Sequence, residues 1–340
     1  MAVGRPRQSN LRPTNVLRLV LLCSVHFALD TASAQGTNVL DNTRCARLGD
    51  TVIQQLKTNR FREAETVLSA SLANGAEPVC VATIFINMAA TLSLSGGFAE
   101  AERLAESSIR LLDSSTAPDD RALLRSLQIL SAARFELRKT GQSRQAFNRM
   151  STLAMERPED RAVAHGMSGM LLQVEGRLRE AELEYLAALR AWEEASGGDS
   201  ANAASALACL ASLYIRDGRL EEARRALDGA ILIFSRANDA GSIDRINVLH
   251  LRSALRWRRN ERREAEQDLR DAVAMADHES LLEPASHAAL LAEYAQVLRK
   301  NKRGREARAI QARAAALWPR QSNAIVDLTE LLREQTPPKK

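Results

Sequence analysis

The chain has 340 residues, of which 45% are hydrophobic and 26% charged, with only 16 glycines, 9 prolines and 4% aromatics. That leaves too few turn residues and bulky β-formers for a sandwich or barrel, while long runs of Ala, Leu, Arg and Glu read as all-α. The net charge of +5 is no footprint for nucleic acid: residues 1–34 hold four arginines against one aspartate, which leaves the rest of the chain only slightly basic.

In chain order, the first element is a targeting segment. Arg5 to Arg18 form a basic head, Leu19 to Ala28 an uncharged, mostly apolar stretch, and Ala32-Ser33-Ala34 a small-x-small site. That order reads as a secretory signal over residues 1–34, cleaved after Ala34. The apolar stretch is too short to span a bilayer, and no transmembrane segment is expected after cleavage. The mature chain is therefore expected in the periplasm or the secreted space.

The next elements repeat. The clearest unit runs Ala211-Ser212-Leu213-Tyr214-Ile215-Arg216-Asp217-Gly218-Arg219-Leu220-Glu221-Glu222-Ala223, and similar segments align on Asn59, Gly96, Gly141, Gly176, Asn260 and Lys302. Five residues after each anchor stands alanine: Ala64, Ala101, Ala146, Ala181, Ala223, Ala265 and Ala307. A glutamate precedes it in six units, and Gln145 in the other. Small residues Ala89, Gly169, Ala211, Ser253 and Ala295 lie seven before their anchors. Gly or Asn at the anchor suits a left-handed turn, a first-turn Glu suits the helix dipole, and small residues on both helices permit close approach. Each unit reads as a helical hairpin.

These residues resemble the tetratricopeptide repeat family, and the 42-residue spacing of the last four anchors resembles its longer-helix variants, such as those of kinesin light chain. The resemblance covers about residues 42–320. It implies an all-α solenoid of about seven hairpins in a right-handed superhelix, an array over 35–320, with first helices lining a concave face. Trp318-Pro319 and Arg157-Pro158 place proline where the family often closes its second helix. Lys302, Arg134, Arg256 and Gly304 depart from its pattern. Residues 321–340 read as a capping helix, started by Ser322 and carrying Ile325, Leu328, Leu331 and Leu332, with a frayed tail. The parallel packing of first helices would also bring Cys45 and Cys80 near enough to form a disulfide, with Cys209 left as a packing residue.

Catalytic chemistry is not visible. The sequence has no phosphate loop, zinc helix or nucleophile elbow, and His165, His250, His278 and His287 lack a second ligand at metal spacing. No cofactor or metal is expected, and an enzyme is not. On the family register a protein partner is expected on the concave face, at Arg138, Lys139, Arg216, Asn247, His250, Trp257, Arg258, Arg299 and Lys300. A tryptophan flanked by guanidinium groups suits an acidic or C-terminal peptide. The alternative is an acidic polymer or anionic membrane held by the basic run Arg252–Arg263, in which Arg259 and Arg263 are expected to pair with Glu264 or Glu266.

Overall fold

The computed structural model describes residues 43–317, apart from 58–60, 95, 116–118, 154–155, 237–241, 280–281 and 283. The signal over 1–34, the turn at Asn59, Trp318-Pro319 and the capping helix and tail over 321–340 lie outside the described residues.

Fourteen helices make up the described regular structure, arranged as seven hairpins. They are α1 Thr43–Lys57 and α2 Phe61–Ala73; α3 Pro78–Leu94 and α4 Phe98–Asp113; α5 Asp120–Glu136 and α6 Thr140–Ser151; α7 Pro158–Glu175 and α8 Leu178–Ser196; α9 Ala201–Asp217 and α10 Leu220–Arg236; α11 Ser242–Arg258 and α12 Arg262–Ala276; and α13 Pro284–Lys300 and α14 Gly304–Leu317. Odd helices are first helices and even ones second. Each first helix packs on its own second helix and on the second helix before it; α1 also touches α3, α3 touches α5, and α9 touches α11. No hairpin could bury its apolar face alone, so the array is one solenoid.

The hairpin turns share one geometry. The anchor N–H donates to the carbonyl three residues back, and the next N–H reaches the carbonyl five residues before it: Gly176 to Gln173 and Arg177 to Leu172, Gly218 to Ile215 and Arg219 to Tyr214, Asn260 to Trp257 and Glu261 to Arg256. The same pair of bonds closes the turns at Gly96 and Lys302. These bonds satisfy carbonyls that the helix end would otherwise leave unmet, and they require positive φ, from 64° at Asn260 and Lys302 to 84° at Gly218.

Unit three corrects the sequence alignment. Its left-handed residue is Arg138, with φ 62°, and the same two bonds run from Arg138 to Phe135 and from Lys139 to Arg134. Gly141 lies inside α6 instead. Moving the anchor changes the uneven spacing around unit three to 42 and then 38 residues. The helix contact there is then made by Ser131 and Ser143 rather than by an alanine pair. Both are fully buried, and each hydroxyl donates to the other residue's carbonyl, at 3.0 and 2.8 Å. Two small polar residues satisfied by each other keep the close approach that Ala89/Ala101 and Ala211/Ala223 make elsewhere. Pro158 is a second correction: it opens α7 at the first helical position, where its missing N–H costs no bond, rather than closing a second helix.

At the first ends of the array, Cys45 of α1 and Cys80 of α3 are joined as a disulfide with their Cα atoms 6.0 Å apart. A cleft of about 430 Å³ opens beside it, between Arg47, Thr51, Ser71 and Glu77.

Among the described glycines the least room is at Gly169, where an added Cβ would stand 2.7 Å from the Tyr185 ring. Tyr185 is 1% exposed and donates its hydroxyl to Gln173 Oε1 at 2.9 Å, so it has no room to yield. Gly169→Ala is expected to cost about 1–3 kcal/mol. Gly166→Ala, one turn earlier with nothing within 4 Å of its added Cβ, should be neutral or stabilising by roughly 0.5–1 kcal/mol. Denaturant midpoints of the two variants check this; equal midpoints would contradict it.

Candidate functional site

Neighbouring units are tied by charge at the turn end of the array. The residue after the anchor is a cation in units three, four, five and seven, and in all of these but unit four it reaches the glutamate six after the previous anchor: Lys139 to Glu102 at 2.6 Å, Arg219 to Glu182 at 2.6 Å, and Arg303 to Glu266. Arg134 joins the first of these, bonding Glu102 at 3.0 Å and Glu106 at 2.7 Å. The Glu102 carboxyl is pushed up by burial, but hydrogen bonds from Lys139 and Arg134 outweigh that and hold it below its ordinary value. Tyr214 adds to the second rung, donating to Glu182 at 2.8 Å, with the Arg219 guanidinium 4.4 Å from its ring. Burial and the Glu182 bond push the Tyr214 hydroxyl up to about 12.

This ladder decides which of the sequence-predicted residues remain available. Lys139 is a rung, and Arg138 is the turn residue itself rather than an inner position of a first helix. Asn247 and His250 were expected at the surface, but each is 1% exposed, packed where α11 meets its neighbours. His250 bonds Glu293 of α13 through Nε2. Arg216 is half-buried and donates to the Gln173 carbonyl. Arg138 and Lys139 are exposed at the turn of unit three, and in units six and seven the exposed residues are Arg258, Arg299 and Lys300, beside half-buried Trp257. Arg262 and Lys300 each lie 5.1 Å from the centroid of the Trp257 ring, which is cation–π range. Arg299 donates to Gln311 at 3.0 Å. These side chains come together because α9, α11 and α13 are equivalent helices one unit apart, so their C-terminal ends share one edge of the solenoid.

Half of the basic run from Arg252 to Arg263 is engaged by carboxylates of the fold. Arg252 and Arg256 both bond Asp268 at 2.6 Å, whose side chain is 2% exposed. Arg259 bridges Glu221 of unit five at 2.6 Å and Glu261 at 2.7 Å. The expected partners for this run were different: Glu266 instead takes Arg270, Arg303 and Asn301. Among the described residues no three His, Cys, Asp or Glu side chains are placed to hold a metal, and no helix is long and apolar enough to cross a membrane. Cys209 is buried, and desolvation pushes its thiol up to about 12, far from a reactive thiolate.

His250 makes the junction of units six and seven sensitive to pH. Burial disfavours the charged ring, but the Glu293 carboxylate outweighs it and raises His250 above its ordinary value. A raised histidine contributes stability that is complete below about pH 6.5 and is lost as pH rises through its folded value. His287 runs the other way: burial lowers it despite Asp277, which also holds Arg313, so its contribution is lost as pH falls. The stability difference between the wild-type chain and His250→Gln should therefore be largest in mild acid and shrink above about pH 6.5. Urea midpoints across that range measure it; a difference independent of pH would contradict it.

The tetratricopeptide repeat family model matches residues 202–278, which are units five and six. No curated protein matches the chain. Solved structures do: a tetratricopeptide repeat protein from Parabacteroides merdae at TM-score 0.57 and 15% identity, over 85% of this chain and 96% of that one. The apo form of RapI matches at TM-score 0.60 and 10% identity, over 81% and 97%. The Cut9–Hcn1 hetero-tetramer of APC/C matches at TM-score 0.52 and 14% identity, over 86% and 50%. At such identities the structures speak for the fold alone, and the sequence match speaks for units five and six. Units five and six are thus similar in sequence to tetratricopeptide repeats, and the same hairpin repeats through the described solenoid.

Proposed function

We propose that the chain is an exported, non-catalytic scaffold that holds a protein partner at the C-terminal ends of α9, α11 and α13, on the concave side implied by the family. The observation that carries this reading is Trp257. A large aromatic side chain lies half-open at the surface, held in place by Arg262 and Lys300, beside exposed Arg258. An ordered aromatic residue among cations has the composition of a binding hot spot. The family fold is consistent with a protein partner, and the targeting segment over 1–34 supports a periplasmic or secreted location.

The rival, an acidic polymer or anionic membrane on the Arg252–Arg263 run, is weakened because Arg252, Arg256 and Arg259 already serve Asp268, Glu221 and Glu261. It would also lose affinity steeply with ionic strength. The test is in-cell crosslinking and affinity capture with the wild-type chain and with a Trp257→Ala, Arg258→Ala double variant. A partner enriched by the wild type and lost from the variant is the expected result. Capture of the same proteins by both would contradict the assignment of this edge.

A further inference from the structure

The cleft beside the Cys45–Cys80 disulfide carries two opposite charges that the fold does not join. It opens in unit one, between α1 and the turn that leads from α2 into α3. Its volume of about 430 Å³ lies within the range of small-molecule sites. Arg47 stands on the α1 wall and Glu77 on the wall made by the turn. Both are exposed, and among the described residues neither side chain makes a salt bridge or a hydrogen bond. The walls are held in place before any ligand enters. The disulfide ties α1 to α3 with its Cα atoms 6.0 Å apart. The turn is closed by Gly75 N–H donating to the Leu72 carbonyl at 3.0 Å and Ala76 N–H to the Ser71 carbonyl at 2.9 Å. A preformed cleft loses little free energy to ordering when it is filled.

The polar groups of the lining select the ligand. Thr51 Oγ1 donates to the Arg47 carbonyl at 2.9 Å and Ser71 Oγ to the Val67 carbonyl at 2.8 Å. Each hydroxyl has used its proton on its own helix and remains as an acceptor. A carboxylate therefore suits Arg47, and an ammonium suits Glu77 together with an accepting hydroxyl. The disulfide, Leu48 and Ala76 add apolar lining. We propose that this cleft binds a free α-amino acid with an apolar side chain. Its carboxylate meets Arg47, its ammonium meets Glu77, and its side chain lies against the disulfide and Leu48. A simple anion would be repelled by Glu77 and a simple cation by Arg47, so a molecule with both charges is favoured over either. The site lies in unit one and does not depend on the partner-binding edge around Trp257 in unit six.

Isothermal titration calorimetry of the whole chain with leucine, N-acetylleucine and leucinamide tests this, because the three share a side chain and differ in their charges. Leucine should bind, and each analogue should bind about ten-fold more weakly, the lower end for hydrogen bonds to charged groups. Glu77→Gln should weaken leucine by a similar factor and leave N-acetylleucine, which has no ammonium, unchanged. Arg47→Gln should likewise weaken leucine and leave leucinamide, which has no carboxylate, unchanged. A misfolded variant could not give that crossed pattern. No binding of leucine at millimolar concentration, equal affinity for all three compounds, or unchanged leucine binding in both variants would overturn the proposal.

Discussion

Two helices can lie side by side at close range only where the side chains between them nearly vanish, and that constraint organises this molecule. Seven residues before each described anchor and five after it, the facing pair is Ala89/Ala101, Ser131/Ser143, Gly169/Ala181, Ala211/Ala223, Ser253/Ala265 and Ala295/Ala307, all deeply buried where alanine or serine. Close approach brings the larger side chains into contact around the pair, and tight packing of this kind tolerates little added volume. The left-handed turn is the second half of the same constraint, because it returns the chain at the angle that sets the two small residues opposite each other. Where the anchor is Arg138, Asn260 or Lys302 rather than glycine, a local cost of order 1 kcal/mol is offset by keeping this packing.

Stacking one hairpin on the next relies on a different interaction. The rungs Lys139–Glu102, Arg219–Glu182 and Arg303–Glu266 join consecutive units. Singly, partly exposed pairs of this sort contribute at most about 1 kcal/mol. Their larger effect is on order: a cation after one anchor meets an anion only if the correct unit precedes it. Units four and six depart from the pattern: Arg144 stands at the sixth position of unit three and makes the link itself, through Glu175 of unit four, while unit six has Glu261 after its anchor and Arg224 at the sixth position of unit five, and there Arg259 makes the link through Glu221 and Glu261.

The fold was legible because its determinants are local: a turn residue, a small residue at a fixed distance on either side, and an acidic first turn. Unit three shows where such reading fails. Gly141 and Ala146 present the expected types at the expected separation, while the true anchor is an arginine and the true contact a pair of serines. Glycine marks freedom to turn, not the turn itself, and serine can replace alanine when its hydroxyl finds a carbonyl. The 42-residue spacing from Gly96 to Arg138 was the available signal. Family register points to Trp257, Arg258 and Lys300, which lie at least partly open to solvent, and equally to His250 and Asn247, which are buried, because a sequence does not show how closely adjacent first helices seal their shared face. The pairings of the basic run were equally hidden, since Asp268 and Glu221 are brought to it by tertiary packing and not by helical spacing.

The edge formed by the C-terminal ends of α9, α11 and α13 is the place proposed for a protein partner. Hydrogen–deuterium exchange of the chain, alone and with its captured partner, addresses that most directly. Protection gained at the ends of α9, α11 and α13, around Arg216, Trp257–Arg258 and Arg299–Lys300, is the predicted result. Protection confined to the outer faces of second helices, around exposed Leu183 and Leu232, would contradict it.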